Sequence, residues 1–89
     1  MKTLFEILEG FLQLDGYYHE TLDDVDVKQL QAYAEFSCER ILTNKETERI
    51  IEVGTNWLGD ISRGTIGWGL ARMYAHQELD DYEDYRTNQ

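Results

Sequence analysis

The apolar positions of this chain recur at helical spacing through most of its length. In the first segment they form a stripe that repeats every three or four residues, which predicts an amphipathic helix over residues 4–15. This stripe contains Leu4, Phe5, Leu8, Phe11 and Leu12, and it is widened by Ile7 and Leu14. Thr3 and Glu6 have the spacing of a capping box, and Asp15-Gly16 is a stop signal at the other end.

Two further helices are predicted from the same kind of pattern. An acidic start followed by an apolar face predicts a second helix at about 24–42. Its apolar face comprises Val27, Leu30, Tyr33, Ala34, Ser37, Cys38 and Ile41. Thr43 and Glu46 form another capping box, so a third helix is expected directly after a tight corner at 42–45. The buried stripe of this helix is expected to contain Ile50, Ile51, Val53, Gly54, Trp57, Leu58 and Ile61.

The fourth segment has a weaker pattern. A break is expected at residues 62–65, with Thr65 as the cap of a helix that includes Gly67 and Gly69. Each of these glycines costs about 1 kcal/mol of helix stability relative to alanine. The apolar residues of this predicted helix are Ile66, Leu70, Met73 and Tyr74.

Residues 78–89 show no apolar periodicity and are mostly charged or polar, which predicts a flexible tail. The chain is therefore predicted to be all-α, a compact bundle of three to four short helices with a polar, acidic C-terminal tail. Residues 1–77 are expected to form a single helical domain, and residues 78–89 the tail. The lone Cys38 lies in an apolar-periodic stretch and is expected to be a buried small side chain.

The net charge of −10 is concentrated at the two ends of the chain. Residues 1–26 carry seven acids against Lys2, and residues 78–89 carry five against Arg86, whereas the middle is balanced. Such an anionic field repels nucleic acid and anionic membranes and attracts basic protein surfaces. The charge therefore favours a basic protein as the partner, with neither direct nucleic-acid binding nor membrane binding.

From this charge pattern we expect a non-catalytic antagonist, of an inhibitor or immunity type, that occupies a basic surface on a nucleic-acid-handling protein. Its carboxylates would imitate the phosphates of a nucleic acid, and nearby tyrosines would add contact area. The expected partner-binding residues are Asp23, Asp24, Asp26, Asp80, Asp81, Tyr82, Glu83, Asp84 and Tyr85.

Two alternatives follow from the glycine-rich stretch. Gly64, Gly67 and Trp68 are candidates for self-association into a homodimer or higher oligomer, because glycine allows close backbone approach and tryptophan can anchor a contact. Ser62, Arg63 and Thr65 are candidates for binding a small phosphate-bearing ligand at a helix start. The same glycines are also typical of turns or of close helix packing inside the fold, without any binding role.

The sequence contains no pattern that is specific for catalysis or for metal binding. His19 lies near several acids, but neither His-Glu-x-x-His spacing nor a calcium-binding loop occurs. We therefore expect no enzymatic activity, no metal and no cofactor. A reducing, cytoplasmic location is expected from the single cysteine and from the absence of a signal-peptide pattern.

Overall fold

The structure is a computed structural model that describes residues 2–14, 24–64 and 67–87. Within these ranges the chain forms four helices and no strand: α1 (Leu4–Leu14), α2 (Asp24–Ser37), α3 (Asn44–Arg63) and α4 (Trp68–Thr87). The radius of gyration is 12.4 Å, close to the value of about 12 Å for a compact domain of this length. The predicted all-α bundle of short helices is confirmed.

α1 and α3 form the centre of the bundle, because each of them packs against all three other helices. The buried side chains of α1 belong to the predicted stripe: Leu4, Phe5, Ile7, Leu8, Phe11 and Leu12. Leu14, which was also predicted for this stripe, is 66% exposed because it is the last residue of the helix. The capping box is also as predicted: the Glu6 N–H donates to Thr3 Oγ1, and the Thr3 N–H donates to Glu6 Oε1, both at 3.1 Å. The hydrogen bonds from Thr3 lower the pKa of Glu6, because they favour the charged carboxylate. The predicted stop at Asp15-Gly16 lies outside the described residues.

α2 ends at Ser37, earlier than the predicted boundary at residue 42. The backbone turns away at Glu39, which has a left-handed φ of 55°, and the Arg40 N–H donates to the Ala34 carbonyl at 2.9 Å. Ile41 was predicted to lie on the buried face of α2, but it is 79% exposed because the helix has already ended.

The connection between α2 and α3 is therefore longer than the predicted corner at 42–45, although α3 begins where its capping box indicated. The Glu46 N–H donates to Thr43 Oγ1 at 3.1 Å, and the Thr43 N–H donates to Glu46 Oε1 at 2.9 Å. The buried hydrophobic residues of the second and third helices and of their connection are Leu30, Ala34, Cys38, Leu42, Ile50, Val53, Trp57 and Leu58. Cys38 is a buried free thiol.

α3 continues through Ser62 and Arg63 and stops at Gly64, whose φ of 66° is the left-handed conformation that commonly ends a helix. The predicted break is thus confirmed at Gly64 but not at the two residues before it. α4 begins at Trp68, and the Ala71 N–H donates to the Gly67 carbonyl at 3.0 Å. The proposed cap Thr65 lies outside the described residues.

α4 differs from its prediction in two respects. Its buried face consists of Ala71, Ala75 and Leu79, whereas the apolar residues that suggested this helix, Leu70, Met73 and Tyr74, are exposed. The prediction of a flexible tail is wrong for residues 78–87, which form the second half of α4. Leu79 is fully buried and Tyr82 packs against the core, so the small alanines and these two side chains form one continuous helical stripe.

Candidate interaction surface

The acidic residues of 78–85 are divided between the two sides of α4. Glu83 is turned toward the core: its Oε1 accepts hydrogen bonds from the Leu4 N–H at 2.7 Å and from Arg40 Nη1 at 2.9 Å. Tyr82 packs against the core cluster and is only partly exposed. These two predicted partner-binding residues therefore stabilise the bundle itself, which makes them poor candidates for contact with another protein.

Asp81 and Asp84 lie on the opposite side of α4 and are exposed. Asp80 is about half exposed, and its Oδ2 is 3.0 Å from Nε2 of His76 one turn earlier. The side chain of Tyr85 is outside the described part of the structure. Of the predicted acidic cluster in α4, Asp81 and Asp84 therefore face solvent most directly, and Asp80 lies at their edge.

The same side of α4 carries exposed apolar residues in the first half of the helix. Leu70 is 39% exposed, Met73 52% and Tyr74 48%. At 100° per residue these three positions share a face with Gln77, Asp81 and Asp84. We refer to these six exposed residues, Leu70, Met73, Tyr74, Gln77, Asp81 and Asp84, as the outer face of α4.

An ion-pair network behind this surface fixes the orientation of α4. Arg40 forms ion pairs with Glu46 at 2.8 Å and with Glu83 at 2.9 Å. Its guanidinium also donates to the Lys2 carbonyl at 2.9 Å. Since Glu83 caps the first turn of α1, one arginine links the starts of α1 and α3 to the second half of α4. Arg40 and Glu83 are 43 residues apart in the chain, so no local sequence pattern predicts their pairing.

The charge state of Glu46 follows from this network. Burial raises the pKa of Glu46, but hydrogen bonds from Thr43 and Arg40 and the positive charge of Arg40 outweigh burial and lower it overall. Glu46 is therefore a buried carboxylate that is held in its charged form by its neighbours, and not a group prepared for proton transfer.

A second cluster joins α4 to α1 around Phe5. Arg72 forms a two-point ion pair with Glu9, with one Nη2–Oε1 distance of 3.2 Å, and its guanidinium lies 4.9 Å above the Phe5 ring. His76 stacks on Phe5 with a centroid distance of 4.3 Å. These contacts hold the first half of α4 against α1 through residues that are not part of the outer face.

The acids at the start of α2 cannot be added to this surface. Asp23 lies outside the described residues, and Asp24 and Asp26 lie in the first turn of α2 with side chains outside the description. Within the described residues α2 and α4 do not contact each other. The roles of Asp23, Asp24 and Asp26 remain predictions from the sequence.

The residues proposed for self-association lie at the turn before α4. Gly64 and Gly67 are exposed, and among the described residues a Cβ at either position would have no heavy atom beyond its chain neighbours within 4 Å. The same is true of Gly69, so these glycines do not serve close packing within the bundle. The side chain of Trp68 is outside the described part.

The residues proposed for phosphate binding cannot be assembled into a site. Ser62 and Arg63 lie in the last turn of α3, where their side chains are not described, and Thr65 is outside the described residues. A groove of about 360 Å³ lies elsewhere, between α2 and α3, with Val27 and Ile51 among its lining residues. Its charged lining residues are Glu48 and Glu52, which would repel a phosphate.

Among the described residues no group of three or more His, Cys, Asp and Glu side chains is arranged to hold a metal ion. Over the same part of the chain, no helix combines the length and apolar character that crossing a membrane requires. Comparison with protein-family models, with curated proteins and with solved structures found no significant match.

Proposed function

We propose that this chain is a non-catalytic acidic protein that binds a basic surface on another protein and blocks it. The observation that supports this most is the position of Asp81 and Asp84, exposed on a regular helix whose opposite face is anchored in the core. Side chains three residues apart on a helix lie about 5–6 Å apart at their Cβ atoms. The two carboxylates are thus held at a fixed spacing and need little ordering when they pair with arginine or lysine.

A nucleic-acid-handling protein is the class of partner that suits this charge best. Its binding groove is lined with basic residues that normally neutralise phosphates. The carboxylates of a chain with net charge −10 are attracted electrostatically to such a groove. This attraction speeds up the encounter of the two proteins and is screened by salt. Occupation of the groove would exclude nucleic acid, which gives inhibition without catalysis.

The test is affinity capture from nuclease-treated lysate of the expressing cells, followed by binding measurements with the captured protein after purification. Replacing Asp81 and Asp84 by Asn should weaken binding by about tenfold or more, because charged pairs at an interface are lost. The matched control replaces Glu35 and Glu39 by Gln, which removes the same charge from exposed positions on α2 and its connection. If both double variants bind equally well, the binding surface does not include α4 and the proposal fails.

A second candidate function is self-assembly through the surface around Gly67. The exposed Leu70, Met73 and Tyr74 beside open glycines favour this alternative. Sedimentation velocity over a wide concentration range tests it directly. A dimer that Gly67→Leu dissociates would support self-assembly, whereas a monomer at every concentration would exclude it.

A further inference from the structure

The outer face of α4 changes its chemical character along the helix. Leu70, Met73 and Tyr74 make its first half apolar, and Asp81 and Asp84 make its second half acidic. From residue 70 to residue 84 the helix rises about 21 Å at 1.5 Å per residue. One side of one helix thus presents an apolar patch and a pair of carboxylates in a fixed order and at a fixed separation.

Within the described residues, the fold covers the apolar half only in part: Tyr74 borders a small crevice against α3, and Met73 is 52% exposed. The inner side of α4 is already filled by Ala71, Ala75 and Leu79, which are at most 3% exposed. About half of the surface of Met73 and Tyr74 is exposed to water. Burying this apolar surface against a partner would therefore be favourable. Methionine and tyrosine are also among the residues that are enriched in protein interfaces.

Two kinds of molecule could bind to this face, a second copy of this chain or a different protein with basic residues, and charge distinguishes between them. A second copy of this chain would bring the same outer face, on which Asp81 and Asp84 are exposed, and the same net charge of −10, so like charges would approach. A protein with basic residues would gain from the same approach. The acidic half therefore selects a partner whose charge is opposite to that of this chain.

We propose that the outer face of α4 docks as an amphipathic helix into an apolar cleft of a partner protein. Leu70, Met73 and Tyr74 enter the cleft, and arginine or lysine side chains at one end of it pair with Asp81 and Asp84. This inference rests on the proposed function and adds the binding mode and the shape of the partner site. It corresponds to recognition of a helix in a groove, with anchors at i, i+3 and i+4.

The experiment uses the intact chain and, as the probe, the basic protein that it retains from nuclease-treated lysate and releases at high salt, after purification. Two variants are compared by biolayer interferometry: Leu70→Ala with Met73→Ala, and Phe36→Ala with Ile41→Ala. The second pair is the matched control, because Phe36 and Ile41 are each 79% exposed but lie outside α4. Circular dichroism and urea unfolding verify that both variants keep the fold.

The expected result is a loss of affinity of about tenfold or more for Leu70→Ala with Met73→Ala, with a change below about threefold for the control. Raising the salt concentration should reduce the affinity of the wild type and of both variants for the partner by the same factor, because all three proteins keep Asp81 and Asp84.

Three results would overturn the inference. If the Asp81→Asn, Asp84→Asn variant loses affinity for the partner but the Leu70→Ala, Met73→Ala variant does not, the proposed function stands. Docking of the apolar residues into a cleft of the partner is then wrong. If neither variant loses affinity, or no basic protein is retained, the proposed function fails as well. If sedimentation shows a dimer that Leu70→Ala with Met73→Ala dissociates, the occupant of the face is a second copy.

Discussion

Arg40 is the residue on which the arrangement of the bundle depends most. Its side chain is 16% exposed and is paired with Glu46, which is 5% exposed, and with Glu83, which is 25% exposed. Replacing one member of a buried pair is costly, because the remaining charge keeps its desolvation penalty and loses its attraction. The position of α4, and therefore of its outer face, should be sensitive to this single side chain.

We predict that Arg40→Met lowers the free energy of unfolding by about 3 kcal/mol. Methionine keeps much of the apolar stem but removes the cation from Glu46 and Glu83. Urea denaturation followed by circular dichroism measures the change. Arg49→Met is the control, because the partners of Arg49, Glu52 and Glu78, are 63% and 48% exposed and such surface pairs contribute at most about 1 kcal/mol each. Equal effects of the two substitutions would contradict the role given to Arg40.

The lowered pKa of Glu46 predicts a specific pH dependence. A carboxylate whose pKa is lower in the folded than in the unfolded state adds stability above its unfolded pKa, and this stability is lost as the pH falls through the folded pKa. Glu46→Gln keeps the capping function but removes the charge. The stability difference between wild type and Glu46→Gln should therefore be largest near neutral pH and shrink below about pH 4.

Thermal or urea unfolding of both proteins across this pH range tests the prediction. Glu48→Gln is the control, since Glu48 is exposed and has no ion pair among the described residues. A wild-type advantage over Glu46→Gln that stays constant into the acid range would show that the charge of Glu46 is not what stabilises the fold.

At the scale of elements, local sequence signals predicted the helix starts better than the helix ends. Both capping boxes form as expected, because hydroxyl and carboxylate three residues apart satisfy neighbouring backbone donors. The end of α2 was missed because its left-handed residue is Glu39 and not a glycine. Nothing in the local sequence marks that turn, and long-range contacts of Arg40 accompany it.

The second half of α4 was missed for a different reason. Its core-facing residues begin with Ala71 and Ala75, whose small side chains give a weak apolar signal, while the larger Leu70 and Met73 lie outside. Acidic composition then made residues 78–87 resemble a solvated tail. Charge alone predicted Asp81 and Asp84 of the outer face, but not its apolar residues Leu70, Met73 and Tyr74. Which side chains face the core and which face solvent depends on the packing of the helix.

Leu79→Ala tests whether the second half of α4, which was predicted to be a tail, packs into the core. Leu79 is fully buried, so the substitution should lower the free energy of unfolding by about 2–4 kcal/mol through lost burial and a cavity. Leu70→Ala in the same helix is the control and should cost less than about 1 kcal/mol, because Leu70 is partly in water. A negligible effect of Leu79→Ala in urea unfolding would mean that the second half of α4 does not pack in solution.

Contact between α1 and α2 predicts an unusual response to alanine at Gly10. A Cβ at Gly10 would overlap the hydroxyl of Tyr33 and lie 3.2 Å from its Cζ. Alanine normally stabilises a helix by up to about 1 kcal/mol relative to glycine, but overpacking costs about 1–3 kcal/mol. Gly10→Ala should therefore destabilise the protein by about 1 kcal/mol, whereas Gly69→Ala, which enters open space, should stabilise it.

A double-mutant cycle with Tyr33→Phe tests this explanation. Removing the hydroxyl should recover part of the stability that Gly10→Ala loses, so the two substitutions should be coupled. Additive effects of Gly10→Ala and Tyr33→Phe on the urea midpoint would mean that the hydroxyl is not the obstacle.

At the scale of the whole molecule, interior and exterior have different roles. The network of Arg40 and the stack of Phe5 with His76 hold α4 against α1 from one side. The other side presents apolar residues followed by carboxylates on a chain of net charge −10. A rigid helix held in this way loses little conformational freedom on binding, which favours its use as a contact surface.

Amide hydrogen exchange of the chain, free and bound to the purified basic partner, tests this account most directly. The result that we predict is slower exchange on binding in the part of α4 that carries the outer face, residues 70–84, with little change in α2. Protection that appears in α2 and not in α4 would contradict the account, because the partner would then bind a surface on the other side of the bundle.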